Sequence, residues 1–241
     1  MLYYPYSYLG YYFGDSSLYS FSLILLVIAL IITVIAQVKI KSSFAKYSKV
    51  SSHLTGAQAA EKLLTANGVF DVKIERCSGQ LTDHFDPRSN VIRLSENVYD
   101  TASVAAVGVA CHEAGHALQY AKNYGPIKLR NAIIPVTNFG SKLAMPLILL
   151  GIIFSFYPLS LIGVAFYALA TVFQLITLPV ELNASKRAME TIKNNSLLLD
   201  DEQVRGARKV LTAAALTYLG ALLVSLAQLL RLLAMVNRRR R

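Results

Sequence analysis

His112-Glu113-Ala114-Gly115-His116 has the form H-E-x-x-H, and in this 241-residue chain it is the stretch whose residue types and spacing point most directly to hydrolytic chemistry. On a helix, four residues make just over one turn. Both imidazoles therefore leave the same face and can converge on one ion, with Glu113 beside them. Zinc suits such a set because it accepts nitrogen and oxygen donors in tetrahedral geometry. With three protein ligands it keeps a position for water, whose pKa it lowers toward 7. Glu113 would take the proton of that water and later deliver it to the leaving amine. The competing reading makes His112 and His116 ordinary structural histidines. Their flanks, Val107, Val109, Ala110, Cys111, Ala114, Ala117 and Leu118, are apolar or small, so two imidazoles and a carboxylate buried there would need partners. A metal supplies them, and the expectation is one Zn2+ per chain.

A third protein donor is required. Pro179-Val180-Glu181-Leu182-Asn183-Ala184-Ser185 offers Glu181, at the point where an apolar run ends. The same residue can be read as a solvated acid at a helix start, the usual role of Glu after Pro. Spacing alone leaves both readings open. His53 lies in a polar loop and reads as a surface residue. Cys111 is one position from His112, about 100° around the helix, which turns it from the histidine face into the core. With only Cys77 and Cys111 present, in strand and helix contexts, no disulfide framework is implied.

The elements around the motif follow from local signals. Thr55 and Gln58 have capping-box spacing, Ala59 to Ala66 is helix-forming and Asn67-Gly68 is a stop. Val69 to Glu75 alternates like a strand. Gly79 to Phe85 and Asn90 to Leu94 flank the turn residues Asp86-Pro87-Arg88-Ser89, which predicts a hairpin and a small sheet. Thr101 to about Asn123 has no internal Pro and is rich in Ala, Val and Leu, so it should be a largely buried helix, closed by Gly125-Pro126. The H-E-x-x-H motif lies on it.

Composition sets the wider frame. Apolar residues make up 54% of the chain and charged residues 16%, well under the roughly one quarter of a soluble domain, and the apolar residues are clumped. Phe21 to Val38 is long enough to span a bilayer. It follows a Tyr-rich start that suits an aromatic belt at the headgroups, and it precedes Lys39, Lys41, Lys46 and Lys49. A cleavable signal peptide would carry its positive charge before the apolar run, so this is an anchor with its N-terminus outside. Apolar runs return at Leu143 to Tyr157 and Leu159 to Leu178, separated by Pro158 and read as a transmembrane hairpin, and again at Val210 to Met235. Between them, Glu181 to Lys209 carries Lys186, Arg187, Lys193, Arg205 and Arg208, and the positive-inside bias puts it on the cytoplasmic side with Lys46. A fourth span would place Arg238 to Arg241 outside, against the same bias, and the sequence leaves open whether that last run spans, lies in the interface or re-enters. The net charge of +10 sits beside the apolar runs, which favours anionic headgroups over nucleic acid. The division expected is 1–41 for the N-terminus and first span, 42–138 for the catalytic region, 139–180 for the hairpin, 181–209 for the third-ligand helix and polar segment, and 210–241 for the last apolar helix and basic tail.

Leu54-Thr55-Gly56-Ala57, Gly79 to Arg88, Val91-Ile92-Arg93-Leu94-Ser95, His112 to Gln119 and Leu178 to Ser185 together resemble the bacterial YugP-type neutral zinc metallopeptidase family. More remotely the chain resembles the gluzincin membrane proteases of the HtpX and CAAX prenyl protease kind, in which a helix bearing E-x-x-A-D supplies the third zinc ligand. Glu181 and Ala184 match that pattern, so the resemblance implies Glu181 as ligand. Ser185 stands where the pattern has an acid, and it or another group would then bond a zinc imidazole in place of a carboxylate. In those proteases an extended strand pairs with the substrate backbone beside the active-site helix. The hairpin around Asp83-His84 corresponds to it, and His84 either stabilises the oxyanion or caps the turn with Asp86. The fold implied is a mainly α membrane protein, with transmembrane helices and a small α+β zincin-like (gluzincin) catalytic domain. The function implied is a multi-pass cell-membrane endopeptidase acting on polypeptides from the cytoplasmic face, alone, as a homo-oligomer or with a membrane-protein partner. Two other functions fit the residues: a non-catalytic membrane scaffold braced by zinc, and metal-assisted hydrolysis of a lipid. A bracing site has no use for Glu113 and would close its fourth position with protein.

Overall fold

The structure is a computed structural model that describes residues 6–80 and 82–238, with side chains for residues 17–80 and 82–237. The expectations for most of the Tyr-rich start, for Leu81 in the first hairpin strand and for the basic tail fall outside these. In chain order the elements are α1 (Tyr6–Tyr47), α2 (Gly56–Ala66), β1 (Lys73–Cys77), β2 (His84–Asp86), β3 (Val91–Ser95), α3 (Glu96–Tyr99), α4 (Val104–Ala121), α5 (Gly125–Ile153), α6 (Tyr157–Asn194) and α7 (Asp201–Arg238). They divide into two compact units. One comprises residues 1–34, 130–176 and 219–241, the other residues 35–129 and 177–218.

The second unit holds the motif. Its helix α2 opens with the expected capping box: the Gln58 amide donates to Thr55 Oγ1 at 3.3 Å while the Thr55 amide donates to Gln58 Oε1 at 3.0 Å. It closes on Gly68, whose φ of +74° is open to glycine at no steric cost. There the Gly68 N–H bonds the Thr65 carbonyl and the Val69 N–H bonds the Leu64 carbonyl, the two bonds of a Schellman motif. This corrects the expected strand from Val69. The Val69 N–H is committed to the helix end and its side chain is buried, so β1 starts only at Lys73.

The hairpin pairs β2 with β3 antiparallel, His84 opposite Arg93 and Asp86 opposite Val91. β1 joins the other side of β3 in parallel, giving the order β1-β3-β2 and leaving β2 at an edge. Asp86 fixes the turn. It accepts from the Ser89 hydroxyl at 2.7 Å, the Arg88 amide at 3.0 Å and Arg93 at 3.1 Å, and these bonds hold its carboxyl down at about 2.

Helix α4 starts where Ser103 Oγ accepts from the Ala106 amide and ends at the left-handed Asn123 (φ +55°). Gly125-Pro126 does not close it, as expected from sequence, but opens α5; Pro fits a first helical turn because its missing N–H is unneeded there. Fourteen of the eighteen α4 residues are buried, from Val104 to Gln119, so this helix is the axis of the core. Leu63, Leu64, Ile92, Leu94, Val98 and Ile192 are buried in the same cluster. Each such side chain contributes about 1.5–3 kcal/mol on leaving water.

In the first unit, Ile148, Val164, Leu232 and Val236 form a smaller core. Small residues set its helix contacts: a Cβ on Gly163 would meet the Ala144 carbonyl at 2.7 Å. The Thr171 and Ser225 hydroxyls pair at 2.8 Å. Among the described residues four helices are long and apolar enough to cross a membrane: Ser17–Tyr47, Gly125–Ile153, Tyr157–Asn194 and Asp201–Asn237. The runs from Phe21, Leu159 and Val210 lie inside them, but that from Leu143 does not reach Tyr157. Helix α5 stops at Ile153, the turn is residues 154–156, and Pro158, expected as the separator, sits in the first turn of α6, where its missing N–H is unneeded. The helices are otherwise longer than the runs. α5 begins eighteen residues before Leu143, passing through Pro135 and Pro146, and α6 runs on through Pro179 for fifteen residues more. Outward apolar side chains such as Val34 (62% exposed) and Ile153 (70%) suit lipid rather than water.

Candidate metal centre

His112 and His116 project from one face of α4, as their spacing dictates, and Glu181 comes to meet them from α6. Two features of the sequence permit the approach. Gly115, inside the motif, has no side chain where α6 passes: a Cβ there would lie 2.6 Å from the Ala184 carbonyl. Pro179 gives up one helical hydrogen bond, yet α6 continues, so Glu181 is a mid-helix residue. At 2% exposure it is not the solvated helix-start acid that was its alternative reading.

Glu181 Oε2 lies 3.2 Å from His112 Nε2 and 3.3 Å from His116 Nε2, and one ligand atom from each residue falls within 4.8 Å of the others. The two rings stand nearly perpendicular, centroids 4.8 Å apart. Zinc bonds of 2.0–2.1 Å at tetrahedral angles put neighbouring donor atoms about 3.3 Å apart. The spacing of the carboxylate oxygen from each nitrogen therefore fits zinc, as does the donor set of two imidazoles and a carboxylate. Among the described residues these three form the one such group of His, Cys, Asp and Glu.

The far nitrogen of each ring is also held. His112 Nδ1 lies 3.1 Å from Ser185 Oγ, and His116 Nδ1 lies 3.0 Å from Gln119 Oε1. Gln119 is fully buried, and its amide nitrogen donates to the Val180 carbonyl at 2.7 Å and to Asn183 Oδ1 at 3.0 Å. With its donors spent on α6, only its oxygen faces His116, so His116 must donate from Nδ1. Its Nε2 then keeps a lone pair toward Glu181. Arg187 Nε adds a bond to Asn183 Oδ1 at 2.8 Å. Gln119 was named in the sequence only as part of a matching stretch. Its spacing of three from His116 on a helix is the signal that places it under that ring.

Glu113 is buried beside this group, and its Oε2 accepts from the Phe85 amide of β2 at 3.1 Å. Burial pushes its carboxyl up to about 7. The carboxylates of Glu181 and Asp83 add to the rise, and His112 and the Phe85 N–H oppose it. Phe85 also packs edge-on against Tyr120 of α4, ring centroids 6.1 Å apart. His84 is exposed and its Nδ1 turns to the Thr82 carbonyl at 2.7 Å, so the β2 residue bonded to the motif is Phe85. Asp83 bonds the Ser95 amide and hydroxyl, tying the start of the hairpin to β3. Burial pushes the Cys111 thiol far up, in keeping with its core position.

A profile described as that of a putative neutral zinc metallopeptidase matches residues 22–237. The chain is 50% identical over 198 residues to a protein named "Putative membrane protease YugP" from Bacillus subtilis (strain 168), an overlap of 81% of this chain and 88% of that one. No solved structure matches it.

Proposed function

The chain belongs to the putative neutral zinc metallopeptidase family, the YugP-like family, and from that premise we propose that it is a membrane endopeptidase whose zinc is held by His112, His116 and Glu181 and whose general base is Glu113. The observation that carries the reading is the convergence of three donor atoms on two helices, beside a buried carboxylate one residue from the first imidazole. When bound, zinc supplies Lewis acidity toward a water and a scissile carbonyl. Glu113 takes the proton as water attacks and returns it to the departing amine. Gln119 and Ser185 hold the two imidazoles with Nε2 toward the ion. Strand β2 is at a sheet edge with its Phe85 amide directed at Glu113, so an extended polypeptide adding alongside β2 would bring a peptide bond past the base. His84, exposed on that strand, is placed to meet such a chain rather than the ion.

The four long apolar helices fit a multi-pass membrane protein. The basic segments around Lys46 and Lys193 belong to the same compact unit as the donors. With the positive-inside bias this supports a site at the cytoplasmic face.

The test is zinc content and cleavage profile in membranes bearing the wild type or Glu113→Gln. Gln keeps the size and an oxygen for the Phe85 amide but has no basicity. Zinc should stay at one per chain while proteolysis falls by roughly a hundred to ten thousand. Undiminished cleavage with zinc in place would remove Glu113 from the mechanism. Loss of zinc and fold together would favour a bracing site.

A further inference from the structure

Between α6 and the start of α7, within the unit that carries the donors, lies a groove of about 450 Å3 that the peptidase reading does not use. Lys186, Lys193 and Arg208 line it, with Glu190 as the single carboxylate. Lys186 and Glu190 pair at 3.8 Å on an exposed face, an arrangement that neutralises little, so the groove stays cationic. The rest of its wall combines the apolar Leu182, Met189, Leu211 and Ala215 with the uncharged polar Ser185, Asn194 and Thr212.

Charge and apolar surface are sorted along the groove. On α6, Leu182, Lys186 and Lys193 are spaced by four and then seven residues, which keeps them on one face and spreads them over about 16 Å. On α7 the order is reversed, Arg208 preceding Leu211. Only residues 195–200 join the two helices, so the cations of both gather toward that link and the leucines lie away from it. The leucines are also nearest the apolar runs, which end at Leu178 in α6 and resume at Val210 in α7. The groove is thus charged at its far end and apolar where the bilayer begins.

A ligand for it must be anionic at one end and apolar at the other, and must reach it from the bilayer. We propose that the groove binds one anionic phospholipid, its phosphate among Lys186, Lys193 and Arg208 and the upper part of an acyl chain against Leu182 and Leu211. A zwitterionic headgroup would bring its own cation against these three. Ser185 lines the same groove and bonds His112, so the lipid would lie behind the metal centre, on the far side of that imidazole.

The experiment uses the full chain in mild detergent, with phosphatidylglycerol, phosphatidylcholine or inorganic phosphate added at equal concentration. Retained lipid is counted by native mass spectrometry and Tm is measured in parallel. One phosphatidylglycerol per chain should be retained and should raise Tm, with phosphatidylcholine and phosphate doing neither. The combined Lys186→Gln, Lys193→Gln and Arg208→Gln variant should bind at least about tenfold more weakly. The combined Lys62→Gln, Lys73→Gln and Arg88→Gln variant, equal in charge change on exposed residues elsewhere, should bind as the wild type does. All three groove cations are exposed, and the single Lys193→Glu change gives an independent reading should the triple variant misfold. Equal retention of phosphatidylcholine, equal protection by phosphate, or equal losses in the two triple variants would overturn the proposal. So would an acidic peptide that raises Tm through the same three cations where phosphatidylglycerol does not. None of these readouts depends on peptide cleavage, so the lipid site and the peptidase reading stand or fall separately.

Discussion

Gln119 occupies the place under His116 that a carboxylate often takes beneath a metal-binding imidazole, and it does so with three bonds at 2.7–3.0 Å. Gln119→Leu keeps much of the volume but leaves the His116 Nδ1–H without its acceptor. Zinc affinity should fall about ten- to a hundredfold, measured by competition with a chelator, while the helical circular dichroism stays unchanged. Unaltered affinity would mean that the imidazole is oriented by packing alone. At this scale the sequence was most informative where spacing is rigid. The positions of His112, Glu113 and His116 on one helix followed from the turn length. The place of Glu181 rested on resemblance, because no local spacing tells how α6 lies against α4. The Gln119 network escaped notice because two of its partners, Val180 and Asn183, are sixty or more residues away.

Helices α4 and α6 approach through Gly115, and the convergence of the proposed metal donors depends on that approach. Gly115→Ala should raise intrinsic helix propensity by up to about 1 kcal/mol. Its Cβ would meet the Ala184 carbonyl, a backbone atom that can yield only if the helices separate. The expected outcome is less zinc per chain by metal analysis and a lower Tm, the opposite of what propensity alone gives. A variant that keeps full zinc and melts higher would show that the contact relaxes without moving Glu181. Capping and turn residues made α2, the hairpin and α4 legible in the sequence, since those bonds are local. The prolines misled. Pro158, expected to separate two spans, sits in the first turn of α6, while Pro135, Pro146 and Pro179 lie within long apolar helices that carry on through them. Val69 misled in another way, because its alternation with later residues hid a helix-closing bond.

The chain as a whole threads one compact unit with segments 35–129 and 177–218, far apart in sequence. Lys46 and Asn195 both belong to it, so cysteines placed near each should react with an impermeant reagent from the same side, the cytoplasmic one. Labelling from opposite sides would break the convergence of Glu181 with the two histidines. The class of fold was legible from clumped apolar residues and sparse charge. The boundaries of the two compact units fall inside α1, α5, α6 and α7, so each of these helices contributes residues to both.

All three proposed metal donors sit on the helices α4 and α6 and none lies on a loop; α4 is capped at its start by Ser103. The pocket should therefore form without the ion, in contrast to small zinc domains that fold only as they bind. Its calorimetric signature should be that of filling a preformed cavity. Zinc added to the chelated protein should bind with a heat-capacity change near zero, since little apolar surface is newly buried. Chelation should abolish cleavage while leaving the far-ultraviolet spectrum intact, and readdition should restore activity at the pace of diffusion into the site rather than of refolding. A large negative heat-capacity change on binding would mean that α4 and α6 come together only around the ion.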